Sequence, residues 1–143
     1  MTDSRTVEIV RRFAAPPAEL FAAWTEPHRV ASWYGPEGWE APEDRIAIEA
    51  RVGGRWQLTM VGGGREMTIG YEILEIDEPR LLVMRSDPMP GMDEPTVVRV
   101  EISEEDAGTL LTLTDGPLPA AGREPAAAGW AGALDKLGRD LGS

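Results

Sequence analysis

The chain has 143 residues and a formal net charge of −11, so it can form one domain with a buried core and is poorly suited to nucleic acid or an anionic membrane. It contains no cysteine, which excludes disulfides, thiolate nucleophiles and sulfur-ligated metals and is typical of a reducing cytoplasm. We expect a single cytoplasmic domain over residues 1–143, because no apolar run approaches the roughly 20 residues that span a bilayer and residues 1–12 do not resemble a signal peptide.

The first part of the chain predicts a strand followed by two short helices. Residues 6–13 alternate between apolar and polar and predict the strand. A helix is expected over residues 17–24, where three large apolar residues share one side. Thr25 is predicted to cap a second helix that starts at Pro27 and ends at Gly35-Pro36.

From residue 46 the hydrophobic period changes to two, which predicts antiparallel strands. Gly53-Gly54 predicts a hairpin, and the glycines at 62–64 predict a second turn. The apolar phase slips near Ile73, which predicts a β-bulge. Later turns are expected at Asp77-Glu78-Pro79 and Asp106-Ala107-Gly108. The strands are predicted near residues 46–48, 55–60, 66–76, 81–85, 98–102 and 109–114.

Residues 124–141 predict a long amphipathic helix that packs on this sheet. Pro125 suits its first position and Gly142 its stop. The apolar side consists of Trp130, Leu134, Leu137 and Leu141. This stripe must be buried, so the order of elements predicts an α+β fold in which a curved antiparallel sheet of six to seven strands wraps around the terminal helix.

Several short motifs occur in a fixed order along the chain. They are Phe13-Ala14-Ala15-Pro16-Pro17, Leu20-Phe21-Ala22-Ala23-Trp24-Thr25, Trp33-Tyr34-Gly35-Pro36, Val52-Gly53-Gly54-Arg55-Trp56, Gly70-Tyr71-Glu72-Ile73, Pro79-Arg80-Leu81 and Gly129-Trp130. The ordered set resembles the START-like, Bet v 1-like (SRPBCC) helix-grip superfamily, in its branch related to the activator of the Hsp90 ATPase. The resemblance implies a cavity between sheet and terminal helix that takes an apolar ligand. It predicts function less closely than fold, because the superfamily includes lipid and hormone binders, polyketide cyclases and chaperone cofactors.

Few residues offer catalytic or metal chemistry. His28 is the single histidine, expected on the surface, and no ligand cluster accompanies it. We therefore predict no metal site, no catalytic residue and no cofactor. Most carboxylates fall in turns, where solvation accounts for them. The glycine clusters lie between strands, so they indicate turns and not a phosphate-binding loop.

The candidate ligand-binding residues are large side chains at positions expected to face the terminal helix. Methionine adapts to irregular space and aromatic rings make rigid walls, which suits a pocket as well as an ordinary core. Arg85 is included because it continues the phase of Leu81 and Val83; if it points inward it needs a carboxylate or a ligand anion, and otherwise it is solvated. The predicted set is Trp33, Trp56, Met60, Met67, Tyr71, Arg85, Trp130 and Leu134.

Three functions compete on this scaffold. The first is binding of a small, largely apolar molecule, which needs the fewest assumptions. The second is an enzyme of the polyketide-cyclase or hydratase type, which a buried ionisable pair in the cavity would favour. The third is a chaperone-cofactor-like interaction domain, with a second copy or another protein as partner, which a contiguous exposed apolar patch would favour.

Overall fold

The computed structural model describes residues 5–35, 38–88, 94–106 and 108–141. The predicted positions Pro36, Ala107 and Gly142 lie outside these residues. Within them, one antiparallel sheet and three α-helices form the predicted α+β helix-grip fold. The elements are β1 (Val7–Phe13), α1 (Pro17–Thr25), α2 (Pro27–Trp33), a 3₁₀ turn (Glu43–Arg45), β2 (Ile46–Ile48), β3 (Arg55–Gly62), β4 (Arg65–Asp77), β5 (Leu81–Ser86), β6 (Val97–Glu105), β7 (Gly108–Gly116) and α3 (Ala120–Leu141).

The sheet has the order β1-β7-β6-β5-β4-β3-β2, so six strands form a meander and β1 returns to pair with β7. Val7 lies opposite Asp115 and Phe13 opposite Thr109. The register between β4 and β5 shifts between Ile73 and Glu75, which confirms the predicted bulge. A bulge adds a residue to one strand and bends it, in agreement with the curvature of the sheet.

The connection at Gly53-Gly54 is longer than the tight hairpin that the sequence predicts. Strand β2 ends at Ile48 and β3 begins at Arg55. The glycines instead continue the pairing of β4: the Gly53 amide donates to the Ile73 carbonyl at 2.8 Å, and the Ile73 amide donates to the Gly54 carbonyl at 2.9 Å. Only glycine fits at Gly54, because a Cβ there would lie 2.1 Å from the Glu49 carbonyl oxygen.

Helices α1 and α2 each begin with proline, as the sequence predicts. Pro17 and Pro27 supply the φ of a first helical position, where the missing N–H needs no partner. The prediction that Thr25 caps α2 is wrong. Thr25 is the last residue of α1, and its hydroxyl donates to the Phe21 carbonyl at 3.2 Å. Glu26 precedes α2 and makes no side-chain capping bond.

Helix α3 begins at Ala120, earlier than predicted, and Pro125 therefore lies inside it. Pro125 is exposed, and what its ring removes is one N–H that would otherwise donate to the carbonyl four residues earlier. The first turn is closed without it, because the Gly122 amide donates to the Pro119 carbonyl at 2.8 Å.

The apolar side of α3 is buried as predicted. Trp130 is 8% exposed, and Leu134 and Leu137 are fully buried. The helix also contacts β1 and α2, and the Arg11 guanidinium donates to Asp135 at 2.5 Å to connect β1 with α3. Among the described residues, no helix is both long and apolar enough to cross a membrane.

Candidate ligand cavity

A cavity of about 260 Å³ lies between α3 and the interior face of β3 and β4. Its walls are Tyr34 and Gly35 after α2, Met60 of β3, Met67, Ile69 and Tyr71 of β4, and Pro125, Ala126, Gly129, Trp130 and Ala133 of α3. Met67 is 50% exposed and Pro125 is exposed. These two residues form the rim, and the cavity opens to solvent there.

Small residues on the first half of α3 create this space. Ala126, Gly129 and Ala133 lie at helical spacing on the side that faces the sheet. A Cβ added at Gly129 would meet no atom within 4 Å. Further along, Leu134 and Leu137 fill the corresponding space completely. The same helix therefore closes the core at one end and leaves a void at the other.

Tyr34, on the inner wall of the cavity, is the centre of a cluster of aromatic rings that extends into the core behind it. Its ring centroid lies 5.5 Å from Trp33, 5.3 Å from Trp56 and 5.9 Å from Trp130, in tilted or edge-on arrangements. The Trp56 ring also packs at 5.7 Å on Tyr71. Edge-to-face packing at these distances is favourable beyond the area that it buries, so this wall is expected to be rigid.

The tryptophans behind the cavity are fixed by their indole N–H groups. Trp33 donates to the Ala23 carbonyl at 2.9 Å, and Trp56 donates to the Trp24 carbonyl at 2.7 Å. Buried indoles normally find such partners. Both side chains are fully buried, so they belong to the core behind the cavity.

Trp130 is held by a buried carboxylate. Its indole N–H donates to Asp115 Oδ2 at 2.9 Å, while Asp115 Oδ1 has no hydrogen-bond partner among the described residues. Burial raises the pKa of Asp115 above its ordinary value, and the Trp130 and Thr96 side chains partly oppose this by stabilising the charged form.

Tyr34 and Tyr71 both line the cavity, and their phenol groups interact with each other there. Burial is the main cause that raises the pKa of both phenols, and the charge of Asp115 raises both further. Both tyrosines therefore stay protonated at neutral pH and act as neutral hydrogen-bonding groups, not as bases.

Four of the predicted residues come together at the cavity: Met60, Met67, Tyr71 and Trp130 line it. The other predicted interior residues, Trp33, Trp56 and Leu134, lie in the packed core outside the lining. Binding by any of these residues stays a prediction.

The inward orientation considered for Arg85 is wrong. Its side chain is exposed, and its guanidinium donates to Glu72 Oε1 at 2.7 Å. The interior phase of β5 is that of Leu82 and Met84, which belong to the core. Arg85 follows an uninterrupted apolar run, so alternation in the sequence could not tell the two faces apart.

The described part of the chain contains no group of three or more His, Cys, Asp or Glu side chains that could bind a metal ion. His28 lies on the surface, as predicted, with Nε2 3.6 Å from Glu26 Oε1.

A second opening, of about 1020 Å³, lies between α2, the segment around Trp39 and the turn at residues 62–64. Charged side chains line much of it, including Glu40, Glu43, Arg65 and Glu66. A charged, open groove is a poor site for an apolar molecule, so the smaller cavity is the better candidate.

A family model described as "Activator of Hsp90 ATPase homolog 1-like protein" matches residues 14–142. The chain belongs to this family. The family lies within the START-like, Bet v 1-like superfamily, so the resemblance drawn from the sequence motifs is confirmed. No protein in the curated comparison matches.

Solved structures of similar proteins share the AHSA1-like fold over nearly the whole chain. A protein from Chromobacterium violaceum is 22% identical with a TM-score of 0.87, and the match covers 96% of each chain. A protein from Rhodobacter sphaeroides is 23% identical with a TM-score of 0.82, covering 98% of this chain and 94% of that one. The AHSA1 protein from Silicibacter pomeroyi is 24% identical with a TM-score of 0.79, covering 96% of this chain and 97% of that one. At these identities the likeness shows the fold alone.

Among the residues of this site that the sequence-based set lacks, Tyr34 and Asp115 carry polar side chains. Asp115 continues the inward phase of Leu111 and Leu113, and that phase was the available signal. Asp115 is, however, the first residue of the loop that the sequence predicts over residues 115–123, where a carboxylate is expected to be solvated. Tyr34 directly follows the predicted Trp33, but its place at the end of α2 could not be tested by helical spacing.

Proposed function

We propose that this AHSA1-like domain binds a small, largely apolar molecule in the cavity between α3 and the sheet. The supporting observation is the lining itself: methionine, isoleucine, small helix residues and aromatic rings surround the space, and none of the described lining residues is charged. Ligand sites of this kind are concave, mostly apolar and equipped with few polar groups.

The volume limits the size of the ligand. An engineered apolar cavity of about 150 Å³ takes benzene, and drug-sized ligands occupy pockets of about 300 Å³ or more. A cavity of about 260 Å³ therefore suits one ring with a substituent better than a long acyl chain.

The alternative functions have less support. A cyclase or hydratase needs a base or acid that changes protonation near neutral pH. Burial keeps Tyr34 and Tyr71 protonated, and the described residues bring no other titratable group to the cavity lining. An interaction surface needs a contiguous apolar patch. The large exposed apolar residues of the described chain are Val10 on β1, Val52 in the connection between β2 and β3, and Met67 on β4, so they lie in three different parts of the chain.

The test fills the cavity from the helix. Gly129→Leu places a branched side chain where a Cβ meets nothing, and Ala128→Leu, at the neighbouring exposed position, adds the same side chain to the surface. Toluene is titrated into each protein, and the indole N–H resonances of Trp130 and Trp39 are followed by NMR. Trp130 lines the cavity, whereas Trp39 lines the charged groove and reports non-specific binding.

We expect toluene to shift the Trp130 resonance in the wild type and in Ala128→Leu, with little change at Trp39. Gly129→Leu should abolish the shift. No shift in the wild type, or an undiminished one in Gly129→Leu, would contradict the proposal.

The cytoplasmic location, the absence of a nucleic-acid or membrane partner and any association with a second copy stay proposals from composition alone. They rest on the net charge of −11 and the lack of cysteine. Cell fractionation would test the location, and a measurement of molecular mass in solution would test the association.

A further inference from the structure

The polar groups of the cavity wall are few. Among the described residues that line it, only Tyr34, Tyr71 and Trp130 carry a polar nitrogen or oxygen in the side chain. The Trp130 N–H is already committed to Asp115 Oδ2 at 2.9 Å. The two phenol hydroxyls are therefore the side-chain groups left to interact with a ligand.

The Tyr34–Tyr71 pair has two hydroxyl donors, and only one of them can be used within the pair. Each phenol carries one proton, and when one hydroxyl donates to the other, the second proton has no partner within the pair. Neither hydroxyl has another side-chain partner among the described residues. A buried donor without an acceptor is costly, so this proton requires an acceptor on a bound molecule or on water.

The charges around the pair disfavour an anion. No lysine, arginine or histidine of the described chain lines the cavity, and the carboxyl group that acts on both phenols is the buried Asp115. A ligand carboxylate would lose its water here without gaining a cation, which is strongly unfavourable.

We propose that the Tyr34–Tyr71 pair is a polar subsite that receives a neutral hydrogen-bond acceptor, such as a ketone or ether oxygen, on a compact apolar ligand, and that the cavity discriminates against carboxylates. This rests on the proposed function, because it specifies the ligand of the same cavity. The proposed subsite excludes fatty acids and selects neutral ring compounds with one acceptor oxygen.

The experiment compares three ligands of nearly equal size by NMR titration at neutral pH. Acetophenone carries a carbonyl, α-methylstyrene replaces its oxygen with a methylene group, and benzoate carries a charge. The measured quantity is the ratio of the acetophenone and α-methylstyrene affinities, because a ratio cancels differences in the apolar wall. The variant Tyr34→Phe/Tyr71→Phe removes both hydroxyls and keeps both rings, a change that is often nearly neutral for stability.

The ratio should fall by roughly tenfold in the double variant, since the carbonyl loses its donor on burial. Benzoate should bind more weakly than acetophenone to the wild type. A ratio within about twofold of the wild-type value, on a scale where one hydrogen bond accounts for several-fold, would overturn the subsite, as would benzoate binding as tightly as acetophenone.

A second measurement needs no variant. The carbonyl carbon of labelled acetophenone should move downfield on binding to the wild type, toward its position in hydrogen-bonding solvents. A resonance at its position in an aprotic solvent would overturn the subsite. Binding of α-methylstyrene with any of these negative results leaves the apolar cavity as a binding site, whereas no binding of either neutral ligand refutes the cavity and the subsite together.

Discussion

Gly129→Ala should stabilise the protein, because the structure combines a helical glycine with empty space beside it. Glycine inside a helix is less stable than alanine by about 0.5–1 kcal/mol, owing to its greater backbone freedom in the unfolded chain. Most Gly→Ala changes near a packed sheet lose this gain to a clash. At Gly129 the new Cβ would meet nothing within 4 Å, so the gain should be kept.

The assay is urea and thermal unfolding followed by tryptophan fluorescence. A gain of this size corresponds to a rise in melting temperature of about 2–4 °C for a chain of this length. Gly54→Ala is the contrasting variant, because its Cβ would lie 2.1 Å from the Glu49 carbonyl oxygen and must displace backbone. If Gly129→Ala lowers stability as Gly54→Ala does, the space between α3 and the sheet is closed and no ligand cavity exists there.

Three further predictions concern the core, the buried carboxylate and the surface. Leu134→Ala should lower the free energy of unfolding by about 2–5 kcal/mol, whereas Val10→Ala at an exposed position should change it by less than about 0.5 kcal/mol; equal effects in urea unfolding would contradict the packing of α3. Burial raises the pKa of Asp115 above its ordinary 3.8, so the folded state holds its proton more tightly and the group costs stability increasingly as pH rises through the folded pKa. Asp115→Asn should therefore be more stable than the wild type near neutral pH and lose that advantage below the ordinary pKa, and a pH-independent difference in urea midpoints would refute this. His28→Ala should leave toluene binding unchanged and stability within about 0.5 kcal/mol, and a large loss of either in the same titrations would give the histidine a role.

The sequence predicted the fold well because local patterns and ordered motifs agree. Alternation located all seven strands, and the slip near Ile73 located the bulge. The predicted helix boundaries are wrong where one residue type occurs in two structural contexts. The sequence predicts a helix start at Pro125, which lies within α3, and a helix cap at Thr25, which is the last residue of α1.

The cavity was harder to predict than the fold because inward phase does not tell a core residue from a wall. Trp56 and Met60 share one face of β3, yet only Met60 reaches the cavity. The difference depends on which part of α3 lies opposite each residue. Gly129 has no side chain to fill the space opposite Met60, so a cavity remains there. A missing side chain produces no hydrophobic signal. Asp115 shows the converse: its inward phase was visible, but a carboxylate at the end of a strand is normally solvated.

The pairing of β1 with β7 has a consequence for how the chain folds. Its partners, from Val7 with Asp115 to Phe13 with Thr109, are among the most distant in sequence, so they form only after a large loop is closed, and such topologies fold slowly. Until β1 arrives, β7 presents an unpaired backbone edge next to the exposed apolar residues of the unfinished core. Unpaired edges of this kind recruit strands from other chains. Once paired, β1 becomes the edge of the sheet, and it carries Glu8, Arg11 and Arg12, charged residues of the kind that discourage further strand pairing.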